Sequence, residues 1–162
     1  GPTPCQSRNT GIALSGSDYI FIMDSDNIIY PKCLAKLYNA LLNAETEFAY
    51  SIIRRFGLVD EIFNFSPWDS DRLKNGNYID AMALIKKDAL LNVGAYDIEN
   101  NLVLEDYDLW IRFAIKKYAG ILVPEIFSAY RVHKNSLSQV VTIKNEKILM
   151  ERFKTKYPEF FG

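Results

Sequence analysis

Histidine and cysteine are nearly missing from this sequence: one His and two Cys in 162 residues. Cys5 and Cys33 show no CxxC spacing, which excludes a structural zinc site and argues against a disulfide framework. Both read as free thiols of a cytoplasmic protein. The lone His133 restricts metal chemistry further. Any site must be built mainly from carboxylates, a donor set that favours Mg2+ or Mn2+ over zinc. Long apolar runs are missing too, and none approaches the ~20 residues that a spanning helix needs. The opening GPTPCQSRNTG is polar and broken by proline, unlike a signal peptide. A large charge of one sign is also missing. The formal net charge of -1 argues against nucleic acid or another polyanion as partner. There is no initiator Met, and Gly1-Pro2 reads as a tag-cleavage scar on a piece excised from something longer.

What the chain does have is an ordinary globular balance, 49% hydrophobic, 14% aromatic and 24% charged, in a length that suits one domain with a proper core. No internal repeat or low-complexity segment interrupts it. Residues 6–14 suit a short helix ending near Ser15-Gly16. DYIFIMD at 18–24 is a continuous apolar run of the type buried on both faces of an α/β sheet. Pro31 suits a first helical position, with Leu34, Leu37, Leu41 and Leu42 at helical spacing after it. A second strand is expected at 48–56. The stretch 57–77, with Phe63, Phe65 and Trp68 but no periodicity, reads as a functional loop or lid. Strand character returns at 78–86, and 87–94 reads as a short helix closed by Gly94.

The best helix is 104–120: acids crowd its first turn, Lys116 and Lys117 its last, and Gly120 follows. Its apolar stripe is Leu109, Ile111, Phe113 and Ala114 or Ile115. One or two strands interrupted by Pro124 are expected at 121–132, then an amphipathic helix at 142–157. Alternating strands and helices argue for a layered α/β fold.

Three clusters carry chemistry. Asp24-Ser25-Asp26 closes an apolar strand, and two carboxylates that close together need a positive partner. A strand end is where α/β folds place ligands, so the pair suits an octahedral cation shared with phosphate oxygens; a solvated turn is the plain alternative. An EF-hand loop is excluded, because its sixth position falls on Ile29 rather than Gly and its twelfth on Ala35 rather than Glu. Glu105, Asp106 and Asp108 form the second cluster. Acids in a first helical turn are stabilised by the dipole without any function, yet a carboxylate at a helix start beside a cleft also suits a general base. Glu105 and Asp108, three apart, share one helical face, while Asp106 projects elsewhere. In YRVHKNSLS at 130–138, Arg131 and His133 lie on one side of an extended segment. That pairing suits a diphosphate, or is an ordinary exposed strand end.

Taken in this order, SRNTGIALSGSDYIFIMDSDN, NVGAYDIENNLVLEDYDLWIRFA and YRVHKNSLS resemble the inverting family-2 glycosyltransferases of the GT-A fold. The shared elements are an Arg-Asn-x-Gly helix start, a strand ending in DxD, a Gly turn with an aromatic-Asp pair, a Glu-Asp helix start and an Arg-x-His segment. They span roughly residues 7 to 138. The resemblance implies a mixed sheet flanked by helices and a metal-dependent transfer of sugar from a nucleotide-diphospho-sugar. It implies Asp24 near the donor, Asp26 on a Mn2+ or Mg2+ that bridges the diphosphate, and Asp106 as base with Glu105 orienting the site. Arg131 and His133 would contact the diphosphate or its metal, and Arg8 would lie near the nucleotide. The acceptor-side loop at 57–80 would offer Trp68 and Tyr78 as sugar-stacking faces or as packing residues.

The same resemblance implies a UDP-sugar donor, a carbohydrate or lipid-linked acceptor, and work in polysaccharide or glycoconjugate synthesis. It implies a cytoplasmic setting, peripheral to the inner face of the membrane, with membrane-surface association through a full-length protein. The family's usual first β-α-β unit has no counterpart here. Residues 1–162 are therefore expected to be a single, N-terminally truncated domain, with a DxD strand at 18–26, a helix at 104–118 and an open sheet edge beside the 18–23 strand. Two rivals stand beside this reading. One is a phosphatase of the haloacid dehalogenase type, which also carries a strand-Asp-x-Asp. The other is a sugar- or partner-binding fragment without turnover.

Overall fold

A computed structural model describes residues 1–98, 104–134 and 143–162. The chain opens with helix α1 (Pro4–Leu14), whose start is fixed by a reciprocal cap between Thr3 and Gln6. Strand β1 (Tyr19–Phe21) follows, then the two-residue β2 (Ile28–Ile29) and helix α2 (Cys33–Ala44). Next come β3 (Phe48–Gly57), β4 (Glu61–Phe63), a 3-10 turn at Asp71–Asn75, β5 (Ala83–Lys86) and α3 (Lys87–Asn92). The remainder is α4 (Glu105–Ile115), β6 (Gly120–Val132), α5 (Ile143–Lys156) and α6 (Pro158–Phe161).

The strands form one mixed sheet in the order β1-β5-β3-β6-β2, with β4 paired to the far half of β3. Strands β3 and β6 run parallel; β5 and β2 run antiparallel to their neighbours, so β1 points the same way as β3 and β6. Alternation along β3 divides the core. Phe48 and Tyr50 enter a large aromatic cluster under α1, α4 and α5 with Trp110 and Phe113, whereas Ala49 faces α2 through Leu37 and Leu41. Phe48 stacks on Trp110 at 4.7 Å between ring centroids and meets Phe113 edge-on at 5.6 Å. No helix among the described residues is long and apolar enough to cross a membrane.

Several boundaries differ from the sequence expectation, each for a tertiary reason. The strand expected at 18–24 pairs only over three residues, Tyr19–Phe21 against Leu84–Lys86 of β5, and Met23 is left 41% exposed. As expected, β1 is an open edge, hydrogen-bonded to β5 alone. Pro31 does not start α2; Lys32 in the left-handed conformation precedes Cys33, and the buried stripe is Cys33, Leu37 and Leu41, with Leu34 and Leu42 turned outward. The 57–77 stretch is not structureless. Gly57 (φ +107) turns the chain into β4, and any Cβ there would meet the Val132 carbonyl oxygen at 2.4 Å. Residues 78–82 run irregularly before β5. The helix expected to 118 or beyond stops at Ile115, because Lys117 rather than Gly120 takes the left-handed position after it. Gly120 opens β6 instead, where a Cβ would strike the Phe48 ring. Pro124 does not break β6, since the register passes from Ser51↔Val123 to Ile52↔Ile126 and leaves Pro124 in a bulge. The tail of the expected Gly turn (99–103), the end of the Arg-x-His segment (135–138) and residue 142 lie outside the described residues.

Candidate active site

The parallel strands β1, β3 and β6 bring their carboxyl ends to one side of the sheet, the side on which such sheets bind ligands. A pocket of about 820 Å³ opens there. The loop after β1 is turned back by β2, whose Ile28 pairs with Ala129 of β6. This carries Asp26 to the end of β6. The Arg131 Nε donates to the Asp26 carbonyl at 3.2 Å, and His133 Nε2 lies 3.4 Å from Asp26 Oδ2. Asn27, buried, accepts the Arg131 backbone N–H at 3.0 Å and so rivets the loop to the strand.

The second wall is built by α1 and the start of α4. Asn9 exchanges two hydrogen bonds with the Tyr96 backbone, 2.7 and 2.9 Å, and this fixes the rotation of α1. Arg8 is thereby aimed into the pocket, where it donates to Asp24 Oδ1 at 2.9 Å and to Glu105 Oε1 at 2.5 Å. Its guanidinium also lies over the Tyr96 ring, 5.1 Å from the centroid. One cation therefore ties the two acidic clusters together. Asp106 points elsewhere, accepting from Asn77 Nδ2 at 2.9 Å and from the Tyr107 backbone N–H. Burial pushes its pKa well above the usual carboxylate range, and the charges of Glu105 and Asp80 push it further.

The structure thus gathers Arg8, Asp24, Asp26, Glu105, Asp106, Arg131, His133 and Tyr78 around one pocket. Tyr78 is nearly buried there, its hydroxyl bonded to the Asp69 backbone and its ring covered by Arg72 at 5.1 Å. Trp68 is the exception. It does not line the pocket but packs edge-on against Phe48 at 5.0 Å, which favours the packing alternative for it over the sugar-stacking one. Asp108 does not share a role with Glu105; it is fully buried and held by Arg112, Lys156 and Tyr157. Both cysteines are free and buried. Asn9 belongs to the Arg-Asn-x-Gly start already noted, whereas the positioning parts of Asn27 and Asn77 were not anticipated. Asn27 follows directly on Asp24-Ser25-Asp26, and Asn77 lies in the 57–80 loop with no signal of its own.

Residues 3–94, more than half of the chain, match the model of glycosyl transferase family 2. The chain belongs to that family. An uncharacterized glycosyltransferase of Methanocaldococcus jannaschii is 25% identical over 150 residues, which is 88% of this chain and 51% of that relative. Two crystal structures of S. aureus TarS 1–349 share the fold. The complex with UDP-GlcNAc superposes with a TM-score of 0.71 at 10% identity, over 93% of this chain and 45% of that one. The complex with UDP gives 0.62 at 12% identity, over 90% and 45%. The family-2 chain therefore has a GT-A-type fold and spans about half the length of the relatives it matches. Membership in this family sets aside the dehalogenase-type phosphatase.

Family membership makes a divalent cation the group to test against these residues. Among the described residues no set of three or more His, Cys, Asp or Glu is gathered to hold a metal ion. Asp26 and His133 supply two donors, each about half exposed to the pocket. That donor set fits a cation that completes its shell with substrate phosphate oxygens and waters, as Mg2+ commonly does, rather than a closed protein cage.

Proposed function

We propose that the protein transfers a sugar from a nucleotide-diphospho-sugar, a UDP-sugar in the first instance, to an acceptor hydroxyl with inversion. The observation that supports this reading is the joint presence in one pocket of Asp24, Asp26, Arg131, His133 and Asp106. The UDP and UDP-GlcNAc complexes of the structurally similar TarS support the donor class.

Arg131 and His133 present donors to the diphosphate, and Arg8 holds Asp24 in place beside it. Asp26 and His133 would hold Mn2+ or Mg2+, which when bound offsets the charge developing on the departing diphosphate. Asp106 takes the proton from the acceptor hydroxyl as its oxygen attacks the anomeric carbon. Its raised pKa makes it a stronger base once ionised than an ordinary carboxylate. Attack from the face opposite the leaving diphosphate, in a single displacement, inverts that carbon. Glu105, clamped by Arg8, fixes the first turn of α4 and with it the direction of Asp106. Tyr78 borders the acceptor side, for a carbohydrate or lipid-linked acceptor. Polysaccharide or glycoconjugate synthesis at the cytoplasmic face of a membrane is the setting we propose.

The test is UDP release from UDP-sugars with Mn2+ and a mixed glycan acceptor set, with the product anomer read by NMR. Release that stops in Asp106→Asn, with an inverted product, is expected. Mn2+-dependent UDP binding without release would favour the non-catalytic binding fragment instead.

A further inference from the structure

Asp80 stands in the same pocket, on the irregular segment before β5, and neither the motifs nor the mechanism above use it. Its position is specified by hydrogen bonds. Its backbone N–H donates to Asn64 Oδ1 at 3.0 Å, and Asn64 Nδ2 donates to the Ser51 carbonyl at 2.7 Å. Asn64 is buried, 2% exposed, and sits in the left-handed region at φ 66, which Asn adopts more readily than most non-glycine residues. A buried asparagine thus ties Asp80 to β3.

The carboxylate so placed is only half used. Its Oδ1 accepts the Met82 N–H at 2.9 Å, while Oδ2 accepts no hydrogen bond among the described residues. No ion pair with it is formed there either, because Arg8 is committed to Asp24 and Glu105. Asp80 is close enough to Asp24, Glu105 and Asp106 for their charges to act on one another. Desolvation and those neighbours move its pKa up to about 6. It therefore shares one pocket with the Asp24-Ser25-Asp26 motif and with the proposed base. In a sugar transfer the ring in transit occupies this pocket, since its anomeric carbon must face both the leaving diphosphate and the attacking hydroxyl. A carboxylate oxygen can only accept, and the donors a neutral sugar ring offers are its hydroxyls.

We propose that Asp80 accepts a hydrogen bond from a hydroxyl of the transferred sugar and sets the choice among donor sugars. This rests on the nucleotide-sugar reading above. The experiment is calorimetric titration, with Mn2+, of UDP, UDP-glucose, UDP-galactose and UDP-GlcNAc into wild type, Asp80→Asn and Asp80→Ala. Asp80→Asn keeps an oxygen for the Met82 N–H and so guards against misfolding. The wild type is expected to separate the sugars by about tenfold or more, the size of one hydrogen bond to a charged group. Both variants should narrow that spread to within about threefold and hold the UDP Kd within about twofold of wild type. A wild-type spread already under threefold, or a spread unchanged in both variants, overturns the role of Asp80 alone. No binding of UDP or any UDP-sugar by wild type overturns the donor reading and this inference with it.

Discussion

Asp106 and Asp108 lie two residues apart in the first turns of α4, yet the protein treats them in opposite ways. Asp108 is fully buried and fully compensated: Arg112 reaches Oδ2 at 2.8 Å, and Lys156 and the Tyr157 hydroxyl reach Oδ1 at 2.6 and 2.7 Å. Asp106 is partly buried beside a pocket, with one side-chain amide and its own turn as hydrogen-bond partners and two like charges nearby. Compensation, more than depth, separates a carboxylate that holds helices together from the one we propose takes a proton. The rear side of α4 locks α5 and α6 to the domain. The pocket side keeps an acid that no cation pairs among the described residues, which suits the base role proposed for it.

The comparison breaks first at Asp106. Asp106→Asn should lower the transfer rate by about 10²–10⁴-fold, the usual worth of a general base, with the UDP Kd unchanged. A variant retaining more than a tenth of the rate would remove Asp106 from the mechanism. At Asp108 the expected loss is in stability. Asp108→Ala leaves Lys156 and Arg112 without their buried partner and should cost about 3–5 kcal/mol in denaturant unfolding. A loss below about 1 kcal/mol would mean that water replaces the carboxylate there.

The pH dependence of stability sharpens the contrast. The folded-state pKa of Asp106 is raised, so the folded protein binds its proton more tightly than the unfolded chain does. Its contribution is fully favourable below the unfolded pKa and is lost as pH rises through the folded one. Asp106→Asn should therefore be more stable than wild type at pH 8, on the order of 1 kcal/mol, with the gap closing towards pH 4. Thermal unfolding across that range checks the sign; a variant less stable at pH 8 contradicts it. The smallest effect concerns Trp68. Trp68→Phe should lower stability by about 1–2 kcal/mol through lost packing on Phe48 and leave acceptor KM unchanged. A large rise in acceptor KM with stability intact would return Trp68 to the acceptor site.

Much of this was legible in the sequence because it is local. A helix start at Glu105, a strand ending in Asp24-Ser25-Asp26 and the Arg131-x-His133 pair each occupy a few residues, and their order led to the fold and the pocket. What was hidden depends on distant partners. Nothing around Asp108 announces Lys156 and Tyr157, some fifty positions later, and acids in a first helical turn look alike until their partners are seen. Trp68 read as a loop aromatic because Phe48, its packing partner, lies on a strand twenty residues earlier. The hairpin formed by β3 and β4 was missed for a similar reason, since EIF is too short to carry a period.

The donor site is the claim on which the rest depends, and titration of UDP into the protein with and without Mn2+, repeated with Asp26→Ala, tests it most directly. The account predicts binding that requires Mn2+ and weakens by at least about tenfold in Asp26→Ala. Binding of equal strength without metal, or unchanged by the substitution, would contradict it.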